Sequence, residues 1–145
     1  MTKLVAIHTD KFSRPSELGP FTQALQVPPN AHLVFTTGIT PRDELGEIVA
    51  PYDVTAQTRR VLANLDALLR EVGSDLTSVV KMTVYLRDMS DVTKVREVRM
   101  ECWPQGPPVS TTVEVQHLVH DSVRIEIDAV AATFPDQSPG ERCSD

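Results

Sequence analysis

The chain has 145 residues, 41% of them apolar but only 5% aromatic, and a formal charge of −6. That length suits one domain around a single aliphatic core. The acidic balance, without a long basic run, argues against an extended nucleic-acid footprint and against binding to an anionic membrane surface. No apolar stretch approaches the ~20 residues of a membrane span. The opening Met1–His8 has too short an apolar run for a signal peptide. The expected location is therefore the cytoplasm, with neither membrane nor nucleic acid as a partner.

In chain order, short strands are expected over Val5–His8, Ala24–Val27 and Leu33–Thr37, and a turn-rich loop over Pro41–Pro51. From Val54 to Val72, the residues Val54, Val61, Leu62, Leu65, Leu68, Leu69 and Val72 recur at helical spacing. Asp53 is placed to cap that helix and Gly73 to end it. Its opposite face carries Gln57, Arg59, Arg60, Asp66 and Arg70. A β-branched run over Val79–Leu86 predicts a strand, and Val92, Val95, Val98 and Cys102 predict a helix from about Asp91 to Trp103, stopped by Pro104. Two more strands are expected at Val109–Val115 and Val123–Ala131, joined in hairpin fashion through Leu118–Ser122. Residues 1–134 form one domain, and 135–145, polar with Pro and Gly, reads as a disordered tail.

Each helix has one apolar stripe, so both must cover one face of a mixed sheet, an α+β architecture. Apolar or small residues on the other sheet face argue for association. Cys102 and Cys143 are too few for a disulfide framework and are expected to stay apart, Cys102 as a small buried hydrophobe rather than a nucleophile. His8, His32, His117 and His120 lack zinc-ligand spacing, and no phosphate-binding or dinucleotide motif is present, so neither a metal nor a cofactor is expected.

Four ordered segments carry a resemblance: Gly19-Pro20-Phe21-Thr22-Gln23-Ala24, Val34-Phe35-Thr36-Thr37-Gly38, Val109-Ser110-Thr111-Thr112-Val113-Glu114-Val115 and Val123-Arg124-Ile125-Glu126-Ile127-Asp128-Ala129. Over roughly Gly19–Ala132 the chain resembles the Rid family (YjgF-type, reactive imine and enamine deaminases). The resemblance implies a chorismate-mutase-like fold, a homotrimer with a central β-barrel and helices outside, and clefts between subunits for a small-molecule substrate.

It also implies site residues. Glu126 matches the glutamate that positions the attacking water. Glu126 and Asp128 share a strand face, and two carboxylates there would push one pKa up; the other reading leaves both on a solvated face or seam. Ser110 stands where the family carries an arginine that holds the substrate carboxylate. Beside it lies Thr111. A serine cannot make the bidentate charge-assisted pair, so 2-aminoacrylate-type deamination is disfavoured and Ser110→Arg is expected to raise it. Phe21 replaces a tyrosine, and Thr37 and Gly38 match a hydroxyl and N–H edge.

Arg96 stands where asparagine is usual. It either supplies the missing cation, opposite Glu126 of another subunit, or sits on a solvated helix face with Lys94 and Arg99. Trp103 either packs in the core or approaches the cleft. The expected function is hydrolytic deamination, or a specialised step, on a small imine, enamine or related reactive metabolite. The alternative is a non-catalytic trimer that binds a metabolite or regulates a protein.

Overall fold

The computed structural model describes residues 3–12, 21–135 and 140. The long helix α1 spans Val54–Arg70, and the Asp53 carboxylate accepts from the Ala56 N–H at 3.0 Å to cap it. Val54, Val61, Leu62, Leu65 and Leu69 are buried, each contributing on the order of 1.5–3 kcal/mol. Leu68 and Val72 are exposed, which corrects the expected stripe. Gly73, with φ +70°, turns the chain after the helix.

Gln57 departs further from the sequence reading. It was assigned to the polar face yet is fully buried. Its Nε2 donates to the carbonyls of Ser122 (2.8 Å), Ala50 (3.1 Å) and Val49 (3.3 Å), and its Oε1 accepts from the Arg124 N–H at 2.7 Å. One side chain thus ties the loop before α1 to the segment before the last strand.

The strands are β1 (Val5–Ile7), β2 (Ala24–Gln26), β3 (His32–Phe35), β4 (Val79–Leu86), β5 (Val109–Glu114) and β6 (Ile125–Thr133). β1 and β2 form a small antiparallel pair, and the main sheet runs in the order β3-β6-β4-β5. β6 is antiparallel to β3 and β4, whereas β5 is parallel to β4. The expected hairpin between the last two strands is therefore corrected: β4 lies between them. A parallel strand needs a crossover, and helix α2 (Val92–Cys102) supplies it.

The sheet alternates as strand periodicity requires. Met82, Val84, Leu86, Ile125, Ile127, Ala129 and Ala131 point at the helices and are buried. Val95, Val98 and Trp103 join them from α2 and its end, and the Trp103 indole donates to the Leu76 carbonyl at 3.0 Å, which places it in the core. This two-helix, mixed-sheet layer is the chorismate-mutase-like α+β arrangement expected.

The opposite face presents Thr83, Tyr85, Thr111, Val113, Glu126, Asp128 and Val130, with Leu33 and Phe35 from β3. It is more polar than the sequence reading held, but Phe35 is 72% exposed and Leu33 53%.

Arg124 fixes α2 to β6. Its Nη2 lies 2.7 Å from the Asp91 carboxylate, so Asp91 is spent on that pair and does not cap α2. Cys102 is disulfide-bonded, correcting the expectation of two unpaired thiols; Cys143, the other cysteine, lies outside the described residues. Of the expected tail, Pro135 and Gly140 are described, and the Gly140 carbonyl accepts from Arg70 Nη2 at 3.0 Å. Among the described residues no helix is long and apolar enough to cross a membrane.

Candidate functional site

Two groups of polar and charged residues lie on opposite sides of the sheet. The first lines a cavity of about 410 Å³ between α2 and β5. The parallel register pairs Met82 with Ser110 and Val84 with Thr112, so both hydroxyls face the helix layer. Phe21, Met89, Val92, Pro107 and Pro108 provide apolar walls, and Arg96 and Arg99 enter from α2. These arginines are three residues apart and so share a helix face.

Arg99 is only 9% exposed, which corrects its assignment to a solvated face with Lys94. Its Nη2 donates to Ser110 Oγ at 2.9 Å. Burial, and then repulsion from Arg96, lower the guanidinium to about 10, so it remains a cation at neutral pH. Thr22 anchors the segment beside Phe21 by donating to the Pro107 carbonyl at 2.6 Å.

The second group lies on the open sheet face. Tyr85 is the register partner of Glu126, and Thr83 of Asp128. The Tyr85 hydroxyl donates to Asp128 Oδ2 at 2.9 Å. That hydrogen bond, then burial and the neighbouring carboxylates, raises the tyrosine pKa and keeps the proton on the ring oxygen. Thr36 N–H bonds the Ala129 carbonyl and Ile39 N–H the Ile127 carbonyl. The chain around Thr37 and Gly38 thus has one residue more than the β6 stretch it faces, the geometry of a bulge.

This bulge presses Gly38 against Glu126, whose carboxylate would collide with any Cβ at that position. The φ of Gly38 lies outside the left-handed region, so proximity alone demands glycine. Gly38→Ala is expected to displace the carboxylate by rotating a flexible side chain. Stability should change by less than about 1 kcal/mol while any Glu126-dependent activity falls at least ~10-fold. Thermal unfolding and turnover measured together check this, and unchanged turnover would break the link.

The expected site residues therefore divide. Phe21, Arg96 and Ser110 meet in the cavity. Thr111, Glu126 and Asp128 lie on the open face, with Gly38 against Glu126 and Thr37 exposed next to it. Within one chain Arg96 and Glu126 are on different sides of the sheet. Arg99, Thr112 and Tyr85 were missed as site residues. The i, i+3 spacing from Arg96 and the i, i+2 spacing from Ser110 and Thr83 were the available signals. Among the described residues no cluster of three His, Cys, Asp or Glu could hold a metal.

The chain and its fold have known counterparts. The model of the family described as endoribonuclease L-PSP matches residues 12–133. A RutC family protein of Pyrococcus abyssi is 42% identical over 126 residues, 86% of this chain and 94% of that protein. A 2-iminobutanoate/2-iminopropanoate deaminase of Mus musculus is 33% identical over 121 residues, 83% of this chain and 87% of that protein. A solved Rid-family protein of Yersinia pestis matches with a TM-score of 0.80 at 25% identity, covering 92% of this chain and all of that one. The chain belongs to the Rid family of YjgF-type proteins.

Proposed function

We propose that the protein is a homotrimeric hydrolase of a small imine or enamine. Its site would be completed when the open face of one subunit meets the α2–β5 cavity of the next. The observation that carries this reading is the Glu126 carboxylate packed against Gly38, on the side of the sheet away from a cavity lined by the half-buried Arg96 and the buried Arg99. Neither half is a complete site. The exposed Phe35 and Leu33, on the same open face as Glu126, are the apolar surface that a neighbouring subunit would cover.

The chemistry follows from a carboxylate and a water. An enamine first takes a proton on its β-carbon to become the imine. Glu126 accepts a proton from water as the oxygen bonds to the imine carbon and the C=N π pair moves to nitrogen. The proton held by Glu126 and then that of the carbinol hydroxyl pass to nitrogen, so the C–N bond breaks, ammonia leaves, and a carbonyl compound remains. Tyr85, with its proton engaged by Asp128, orders the carboxylates beside the water. The name of the mouse relative, a 2-iminobutanoate/2-iminopropanoate deaminase, supports this reaction class. An endoribonuclease, as the family's description would have it, would want a basic footprint that a chain of formal charge −6 lacks.

The test is ammonia release from enzymatically generated 2-iminobutanoate, run beside a mass measurement. A trimer should weigh about 48 kDa, three times the 16.0 kDa of one chain. A stable monomer would remove the shared site, and a trimer that releases no ammonia above the uncatalysed rate would favour the metabolite-binding alternative.

A further inference from the structure

The cavity holds a cation, Arg99, without a counter-ion among the described residues. Arg99 is nine-tenths buried, and its Nε has no hydrogen-bond partner among the described residues. Its one side-chain hydrogen bond there is to the neutral Ser110 hydroxyl. None of the ion pairs among the described residues includes Arg99. Its charged neighbour is Arg96, which repels it. A buried charge in this state is costly, and arginine cannot shed its proton to escape. The apolar walls around it are a phenylalanine, two methionines, two valines and two prolines.

We propose that Arg99 is the anion-binding residue of the α2–β5 cavity, and that its ligand is a small carboxylate with a short apolar body. The guanidinium fork matches a planar carboxylate, and its Nε is left without a partner among the described residues. The volume of about 410 Å³ and its apolar walls accommodate a few carbons, and a multiply charged group such as phosphate would meet mostly hydrocarbon. Ser110, small and neutral, leaves room for the arginine that arrives from the helix instead of the strand.

This also revises what Ser110→Arg would do. A second guanidinium would be set against Arg99, so the single substitution weakens the cavity rather than completing it. Assigning the bound carboxylate to a substrate rests on the hydrolase reading; the anion site itself does not.

The experiment is calorimetric binding of 2-oxobutanoate to the full chain, with butanone and inorganic phosphate as comparison probes. The wild type should bind 2-oxobutanoate, and bind butanone and phosphate at least ~10-fold more weakly. Arg99→Met should weaken 2-oxobutanoate binding by about 30-fold or more, and the empty variant should melt above the empty wild type because a buried uncompensated charge is gone. Arg99→Lys, which keeps the charge and loses the fork, should bind about 10-fold more weakly and decides the matter if the methionine variant does not fold. Wild-type protein that binds only phosphate, or nothing, overturns the proposal, as does an Arg99→Met or Arg99→Lys variant within twofold of wild type. If 2-oxobutanoate binds through Arg99 but no imine is hydrolysed, the anion site stands and the hydrolase reading falls.

Discussion

Glu126→Gln is expected to lower imine hydrolysis about 100- to 10,000-fold, the range lost when a positioned general base is removed. Glutamine keeps the length and shape of the side chain, so it can still rest against Gly38. It cannot accept the proton of the attacking water. Burial of Ile125 and Ile127 on either side is untouched, so the strand and its pairing with β4 should persist. The measurement is kcat on 2-iminobutanoate beside solution mass and unfolding temperature for both proteins. Turnover within a few-fold of wild type would show that the water is activated elsewhere, with Asp128 and Tyr85 the next residues to remove.

The second large effect is on stability. Gln57→Leu should cost about 2–4 kcal/mol. Leucine has nearly the right volume, so a cavity is not the cause. The loss comes from the groups left without a partner: the Ser122 and Ala50 carbonyls and the Arg124 N–H, all facing a fully buried position. Ala50 and Tyr52 hold φ values of 42° and 67°, uncommon for residues with a Cβ, and persist because hydrogen bonds from Gln57 and to Ser122 over-determine the loop. Denaturant titrations at equal protein concentration measure the cost, since association adds to apparent stability. A change below about 0.5 kcal/mol would mean that water replaces the lost partners.

Much of the fold was legible because periodicity reports burial. The β-branched run gave β4 at its observed ends, and helical spacing gave the buried stripe of α1. Gln57 was misread because a pattern of polar and apolar letters cannot distinguish a solvated amide from one whose four hydrogen bonds are all internal. The relation of β5 to β6 was misread because sequence neighbours were assumed to pair; the parallel β4–β5 ladder is a non-local feature that no local signal carries.

The candidate site was partly legible. The resemblance marks Ser110 as a position without the expected cation, and Arg96 on α2 is the residue the sequence offers in its place. Arg96 was chosen there and Arg99 consigned to solvent, because the helix phase that buries Val95 and Val98 was not extended to the residue that follows. Its depth depends on how closely α2 packs on β5, which only the assembled layers reveal.

The parallel β4–α2–β5 crossover has a consequence for how such a chain can change. Helix and edge strand lie on two sides of one cavity, so a positive group supplied by either can reach the same space. The cation can therefore migrate between α2 and β5 through a pair of exchanges within one contiguous stretch of chain. The β6 carboxylate and its glycine rest, encoded outside that stretch, need not move. On the proposed function, ligand preference and water activation would then be separately heritable traits, and a library confined to the crossover would sample new substrates on an unaltered reaction.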